Sequence, residues 1–81
     1  MKKLSQLVWT EKRQKLFLAS VILTEKELKV WDELIHGVPY ERIAENCNCS
    51  VSTINDLNKI IKAKYRVVQL EYPDVFEPLP E

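Results

Sequence analysis

The residues best suited to contacting another molecule are polar side chains at helical spacing between positions 50 and 65. An asparagine such as Asn55 can make a bidentate pair of hydrogen bonds to adenine, and the hydroxyls of Ser52 and Thr53 can reach bases or phosphates. Lys59 and Lys62 suit phosphates, because a phosphate contact depends on charge and carries little sequence information. The pattern predicts contact with duplex DNA through one set of residues: Tyr40, Arg42, Ser52, Thr53, Asn55, Asp56, Lys59 and Lys62.

Three members of this set have less direct roles, and the whole set also has a simpler interpretation. Asp56 would accept a hydrogen bond from cytosine or else face a neighbouring lysine. Tyr40 and Arg42 stand at the start of the preceding predicted helix, from which they could bond the DNA backbone. The alternative is that all these polar side chains only solvate the outer face of a helix in a protein-binding module.

Catalysis and cofactor binding have little support in the sequence. The single histidine, His36, lies at the C-terminal end of a predicted helix, where an imidazole commonly interacts with the helix dipole. This position predicts a structural or surface role for His36. Cys47 and Cys49 offer two thiols where structural zinc usually takes four ligands, and both fall at positions that bury small apolar side chains. We predict no enzyme activity, no catalytic or metal-binding residue and no cofactor, while a thiol switch at the turn stays open.

The predicted DNA-contacting residues must be positioned by a short helix and a tight turn. The spacing of the apolar residues ahead of them predicts both. Ile43, Ala44 and Cys47 share one helix face, because residues three and four apart lie on the same side. Only Asn48 and Cys49 remain for the turn, which is too short for antiparallel helices. The small side chain of Ala44 permits the steep, close crossing that follows.

A second helix follows the turn. Ile54, Leu57 and Ile61 share its apolar face, and Ser50 is a good N-cap for it, with Ser52 as the alternative. Two short helices crossing steeply at a tight turn are the pattern of a helix-turn-helix, whose second helix can enter the DNA major groove.

Two stretches carry a family resemblance. LTEKELKVWDELIHG followed by PYERIAENCNCS resembles the front of LuxR/GerE-type domains, in which a Leu-Thr pair opens a scaffold helix that ends in glycine. The run STINDLNK is similar to Trp repressor-type helix-turn-helix proteins. Asn58 stands where the LuxR pattern usually has leucine, and Asn48 where the turn often has glycine, although asparagine also suits left-handed backbone. The resemblance implies a helix-turn-helix that binds DNA.

Two helices are predicted ahead of this motif. Thr10 opens a leading helix over residues 11–22, whose Phe17 either caps the motif or contributes to a dimer surface. Trp31, in the following scaffold helix, is predicted to lie in the core.

The scaffold helix has signals at both ends. Thr24 and Glu27 form a capping box at its start. Gly37 can supply its left-handed end, and Pro39 stands where the next helix begins.

Two segments allow more than one structure. Residues 4–9 alternate as in a short strand but also have helical spacing. The run 66–72 either extends the last helix to about Leu70, which we prefer, or forms a strand against residues 4–9. The prolines of residues 73–81 predict an extended acidic tail. Val75 and Phe76 within it cannot be covered by their own segment, so they dock either on the body or on a protein partner.

Charge is distributed unevenly along a chain of zero net charge. Residues 71–81 contain four acidic and no basic residues, which leaves residues 1–70 with 12 basic against 8 acidic, a net charge of +4. Residues 50–70 contain one acidic residue, Asp56, and four basic residues: Lys59, Lys62, Lys64 and Arg66. The predicted reading helix is therefore the basic part of the chain.

These features together predict an all-α fold: a tri-helical helix-turn-helix domain over residues 1–72, with an additional N-terminal helix and an extended tail over 73–81. No apolar run approaches the ~20 residues of a membrane span, so we expect a cytoplasmic protein. The predicted function is sequence-specific binding of double-stranded DNA by a homodimer, as a small phage or bacterial transcriptional regulator. Either the leading helix or the segment 66–76 would supply the dimer surface. The alternative is an adaptor of similar fold that binds RNA polymerase or a viral packaging or replication complex. A third possibility is that the tail covers the basic helix and inhibits it.

Overall fold

The computed structural model describes residues 4–79. All regular secondary structure in this range is helical. It has a short 3-10 turn followed by four α-helices: Leu4–Gln6, then α1 (Glu11–Ser20), α2 (Glu25–Ile35), α3 (Tyr40–Cys47) and α4 (Val51–Glu71). No β-strand occurs between residues 4 and 79, so the all-α prediction is confirmed. The strand alternatives for 4–9 and 66–72 are wrong.

The helices of the first half begin where the sequence predicts. The Thr10 side chain accepts a hydrogen bond from the Arg13 amide at the start of α1. Both reciprocal bonds of the capping box between Thr24 and Glu27 are present at the start of α2. α1 ends two residues earlier than predicted, because Val21 has extended backbone with a φ of −128°.

The corners after α2 and before α4 also match the sequence. Gly37 has a φ of +75°, the left-handed conformation that ends α2. Ser50, rather than Ser52, caps α4, since its side chain accepts from the Thr53 amide.

Five aromatic side chains from distant parts of the chain form one cluster in the core. Phe17 is fully buried and stacks on Trp31, with ring centroids 5.5 Å apart. Trp9 meets Phe17, Trp31 and Tyr65 edge to face, a favourable geometry for aromatic pairs. Phe76 packs on Tyr65 from the tail. Phe17 therefore serves the core, and the dimer-surface alternative for it is wrong.

The tail is not extended from its start, contrary to the prediction. Residues 73–75 form a turn in which the Val75 amide donates to the Tyr72 carbonyl at 3.1 Å. The reason is that Pro73 fixes a φ that also suits the second position of a β-turn. Residues 77–79 have no regular structure, and residues 80–81 lie outside the described range.

The tail docks on the body of the protein. Phe76 is only 2% exposed, and Leu79 is also buried. The Tyr65 hydroxyl donates a hydrogen bond to the backbone carbonyl of Glu77. Of the two alternatives for the tail, docking on the body is the one observed.

None of the helices between residues 4 and 79 is long and apolar enough to cross a membrane.

Candidate nucleic-acid interface

α3 and α4 are consecutive helices that pack on each other through their apolar faces. Ile43 and Ile54 are fully buried, and Ala44 is nearly so. Asn48 joins the helices in the left-handed conformation, with φ 56° and ψ 45°. The next amide, that of Cys49, donates back to the Ala44 carbonyl at 3.0 Å. The left-handed turn at Asn48 is therefore present as predicted.

α2 fixes the end of α3 by polar contacts. The Lys29 ammonium donates to the Asn46 carbonyl at 2.9 Å, and the Asn46 amide group donates to the Glu33 carboxylate at 2.6 Å. These bonds join residues 13 to 17 positions apart. They hold the turn, and with it the start of α4, against the scaffold helix.

A row of polar side chains follows the outer face of α4. Its members are spaced three or four residues apart and therefore share one side of the helix. We call this row the polar stripe, and it comprises Ser52, Asn55, Lys59, Lys62 and Arg66. Lys62 is half-buried and the other members are exposed. Asn55 and Lys59, the two residues most important to the DNA-binding hypothesis, thus both face solvent.

The polar stripe adds one residue that the sequence analysis left out of its set. Arg66 lies seven residues after Lys59, so it returns to the same side of the helix two turns later. The spacing signal that selected Lys59 and Lys62 would have found it.

Two members of the predicted set border the polar stripe rather than belonging to it. Thr53 is half-buried, and its hydroxyl lies 3.0 Å from the Ser50 hydroxyl within the helix cap. Asp56 is exposed three residues before Lys59. Residues three apart are neighbours on a helix surface, and both roles predicted for Asp56, accepting from cytosine or facing a lysine, stay predictions.

The α3 residues of the set are separated from each other. Arg42 is exposed, between the exposed acids Glu41 and Glu45. Tyr40 is half-buried, and burial raises the pKa of its phenol. Phosphate contacts from α3 would therefore depend on Arg42.

Tyr40 and Lys62 come together at a cleft of about 470 Å³ beside the 3-10 turn and the end of α2. Glu41 and Asn58 line the same cleft. Asn58 is 7% exposed, at the position where the LuxR pattern usually has leucine. The cleft lies next to the polar stripe because Lys62 belongs to both.

One lysine in the basic segment is used internally. The Lys64 ammonium lies 2.8 Å from the Glu27 carboxylate and also donates to the Ile22 carbonyl at 2.8 Å. The hydrogen bond from Lys64 lowers the pKa of the Glu27 carboxyl, although burial acts in the opposite direction. Lys64 thus anchors α4 to the α1–α2 corner instead of facing a ligand.

The two cysteines and the histidine lie near protein groups of α2 and α3. Cys47 and Cys49 are free thiols and half-buried, less covered than their sequence positions predicted. Burial raises the pKa of the Cys47 thiol, which lies 4.0 Å from the Glu33 carboxylate. His36 is exposed, with Nδ1 2.6 Å from the Asp32 carbonyl. In the described part of the chain, no three His, Cys, Asp or Glu side chains are grouped to hold a metal ion.

Comparison with protein-family models, with curated proteins and with solved structures found no significant match to this chain. The function is therefore inferred from the chain's own residues.

Proposed function

We propose that α3 and α4 form a helix-turn-helix that binds double-stranded DNA sequence-specifically, with α4 as the reading helix. The observation that carries this proposal is the exposure of Asn55 and Lys59 on the outer face of α4, while its inner face is anchored by Ile54. A reading helix needs this arrangement, because it must reach base edges without losing its support from the preceding helix.

The polar stripe divides into a part that suits bases and a part that suits phosphates. Ser52 and Asn55 lie in the first two turns of α4, where helix-turn-helix proteins place their base contacts. Lys59, Lys62 and Arg66 follow. From Ser52 to Arg66 the stripe is about 21 Å long, at 1.5 Å per residue. The positive charges of Lys59 and Lys62 supply sequence-independent binding energy and fix the helix along the DNA.

A single motif of this size reads only a few base pairs, so useful affinity requires a dimer on two half-sites. In this role the protein is a small transcriptional regulator of the phage or bacterial kind.

Selection of bound duplexes from a random pool is the direct test. We expect an enriched sequence with two-fold symmetry, and affinity for random duplex that falls steeply with salt. The absence of detectable binding to any duplex at low salt would contradict the proposal.

Two substitutions separate the proposed roles of the stripe. Lys59→Ala should weaken binding to all sequences and reduce the slope of log affinity against log salt by about 1. Asn55→Ala should instead relax the preference at one base pair, at a cost of about 1–3 kcal/mol. Lys12→Ala is the matched control, since Lys12 is exposed on α1. Equal losses on random and selected DNA for both stripe variants would contradict the assignment.

The competing function is a protein-interaction adaptor, which the zero net charge of the chain favours. The tail residue Phe76, expected to serve such a partner, is buried against Tyr65 and is not available on the surface. The same salt titration decides between the two functions, because an adaptor would show no salt-dependent affinity for random duplex.

The third possibility, inhibition by the tail, finds no support in the tail contacts. Phe76 and the Glu77 carbonyl contact Tyr65, on the inner face of α4. Asn55 and Lys59 lie on the outer face and are exposed.

A further inference from the structure

The C-terminal half of α4 exposes a row of apolar side chains. The row, which we call the apolar seam, consists of Ile60, Ala63, Val67 and Leu70. All four are exposed, with 43% of Ile60, 56% of Val67 and 78% of Leu70 accessible to solvent. Their spacing of three, four and three residues is that of alternating a and d positions in a heptad repeat. The exposed parts of these side chains are not covered by any of residues 4–79.

The corner between α1 and α2 is tied to α4 beside this row. Lys64, which lies between Ile60 and Val67 in the sequence, donates to the Ile22 carbonyl at 2.8 Å. The Ile22 side chain is 90% exposed and lines a shallow pocket with Leu18 and Leu28. It is therefore not counted as part of the apolar seam.

We propose that the apolar seam binds a second copy of this chain, with the two α4 helices parallel and in register over their C-terminal halves. The residue types favour this partner. Ile60 and Val67 are β-branched residues at a positions, and Leu70 is a leucine at a d position, the combination that favours parallel two-stranded packing. Ala63, at the other d position, allows the helices to approach closely.

The charges beside the apolar seam select the parallel orientation. Arg66 is at a g position, and Glu71 is at the e position that meets it on a parallel partner helix. Both are exposed, and neither has an ion-pair partner among residues 4–79. Two symmetric Arg66–Glu71 pairs would form across the parallel dimer. An antiparallel dimer would instead bring the two Arg66 side chains together.

The geometry leaves the base-reading end of α4 uncovered. Val67 lies twelve residues after Asn55, about 18 Å along the helix axis. Lys59 occupies the flanking g position at the N-terminal end of the seam, whereas Lys64, at the e position, is held by Glu27 of its own chain. The surface is defined by residues of this chain alone, so the proposal does not depend on DNA binding.

The test is the mass of the DNA-free protein by sedimentation over a series of concentrations. We expect a monomer–dimer equilibrium in the native chain. Val67→Glu should give monomer at every concentration at which the native chain is dimeric. Gln69→Glu is the matched control, because Gln69 lies on another side of α4, and it should dimerise normally. Circular dichroism confirms that each variant remains helical.

Charge exchange tests the orientation. Arg66→Glu and Glu71→Arg should each weaken dimerisation at least tenfold by placing like charges opposite each other. The double variant should restore it to within about threefold of the native chain, since the pairs are re-formed with reversed sign. A native chain that is monomeric throughout, a dimeric Val67→Glu variant, or a double variant that fails to recover would each overturn the proposal.

These outcomes are distinct from failure of the proposed function. A dimer that binds no duplex at low salt would refute DNA binding and leave the seam intact. A monomer that binds duplex with a steep salt dependence would refute the seam and leave the DNA-binding role.

Discussion

The inner and outer faces of α4 differ in a way that a single amphipathic helix does not require. The inner face is mostly apolar around Ile61 and Tyr65, which are buried in the core, with Asn58 as a buried polar exception. The outer face carries two adjacent rows: the polar stripe, which continues to Arg66, and beside it the apolar seam, which begins at Ile60. A face that met only solvent would not carry an apolar row. The two proposals therefore give each row its own occupant, DNA for the polar stripe and a second copy of this chain for the apolar seam.

The two faces should differ in their effects on stability and on binding. We expect side chains on the inner face to determine whether the chain folds and, under the proposed function, those on the outer face to determine what the folded chain contacts. Substitutions of adjacent residues on α4 can test this division directly, because neighbours in a helix point in directions about 100° apart.

The largest expected difference is between Ile61 and Ile60. Ile61→Ala should lower the free energy of unfolding by about 2–5 kcal/mol, because it leaves a cavity in the core. Ile60→Ala removes the same atoms from an outer position and should cost less than about 1 kcal/mol at protein concentrations below the dimer range. Urea unfolding measures both values. Similar losses for the two variants would refute the division between faces.

The next largest effect on stability is expected at Lys64, which joins α4 to Glu27 of α2 by an ion pair. Lys64→Met leaves the Glu27 carboxylate without its ion-pair partner in a site that is mostly buried, and should cost about 1–3 kcal/mol at pH 7. Lys15→Met breaks the exposed pair with Glu11 and should cost at most about 0.5 kcal/mol.

The same variant has a pH signature. Because Lys64 lowers the pKa of Glu27 in the folded state, its contribution is present above the unfolded pKa, near 4.5, and is lost as pH falls through the folded pKa. The native chain should therefore lose stability more steeply than Lys64→Met below pH 4.5. Parallel acid-unfolding curves would contradict this role.

A smaller effect is expected at Tyr65, which holds the tail. Tyr65→Phe removes the hydrogen bond to the Glu77 carbonyl and should cost about 0.5–1.5 kcal/mol at pH 7. Burial raises the pKa of Tyr65 from 10.0 to about 12, so the native chain should lose stability as pH rises through this interval. The variant should lose less there. Tyr72→Phe, at an exposed position, is the control, and an unchanged alkaline profile in Tyr65→Phe would contradict the prediction.

The smallest effect is expected at the corner that begins α4. Asn48→Gly should change the free energy of unfolding by less than about 0.5 kcal/mol, because glycine relieves the left-handed backbone but gains freedom in the unfolded chain. Asn48→Ala should cost about 1 kcal/mol, since its backbone must still be left-handed without the local hydrogen bonding of asparagine. Thermal unfolding compares the two. An alanine variant as stable as the native chain would show that the backbone at this corner adapts.

Local features of this structure were predictable because they depend on residues within one helical turn. The capping box of Thr24 and Glu27, the Ser50 cap and the left-handed Asn48 each need only their sequence neighbours. The exposure of Asn55 and Lys59 also follows from the period of Ile54 and Ile61 on the opposite face.

The parts that the sequence left open depend on side chains far apart along the chain. The tail docks because Phe76 meets Trp9 and Tyr65 in the aromatic cluster. Periodicity within residues 73–81 contains no information about that contact.

The candidate site divides in the same way. The sequence by itself determined the helices, their caps and the polar outer face of α4, since backbone hydrogen bonding and side-chain period are local. Only the tertiary structure decided that Lys64 pairs with Glu27, 37 residues away, and that Tyr40 borders a cleft with Asn58. It also decided that Val67 and Leu70 stay uncovered, because burial depends on which distant segments pack together.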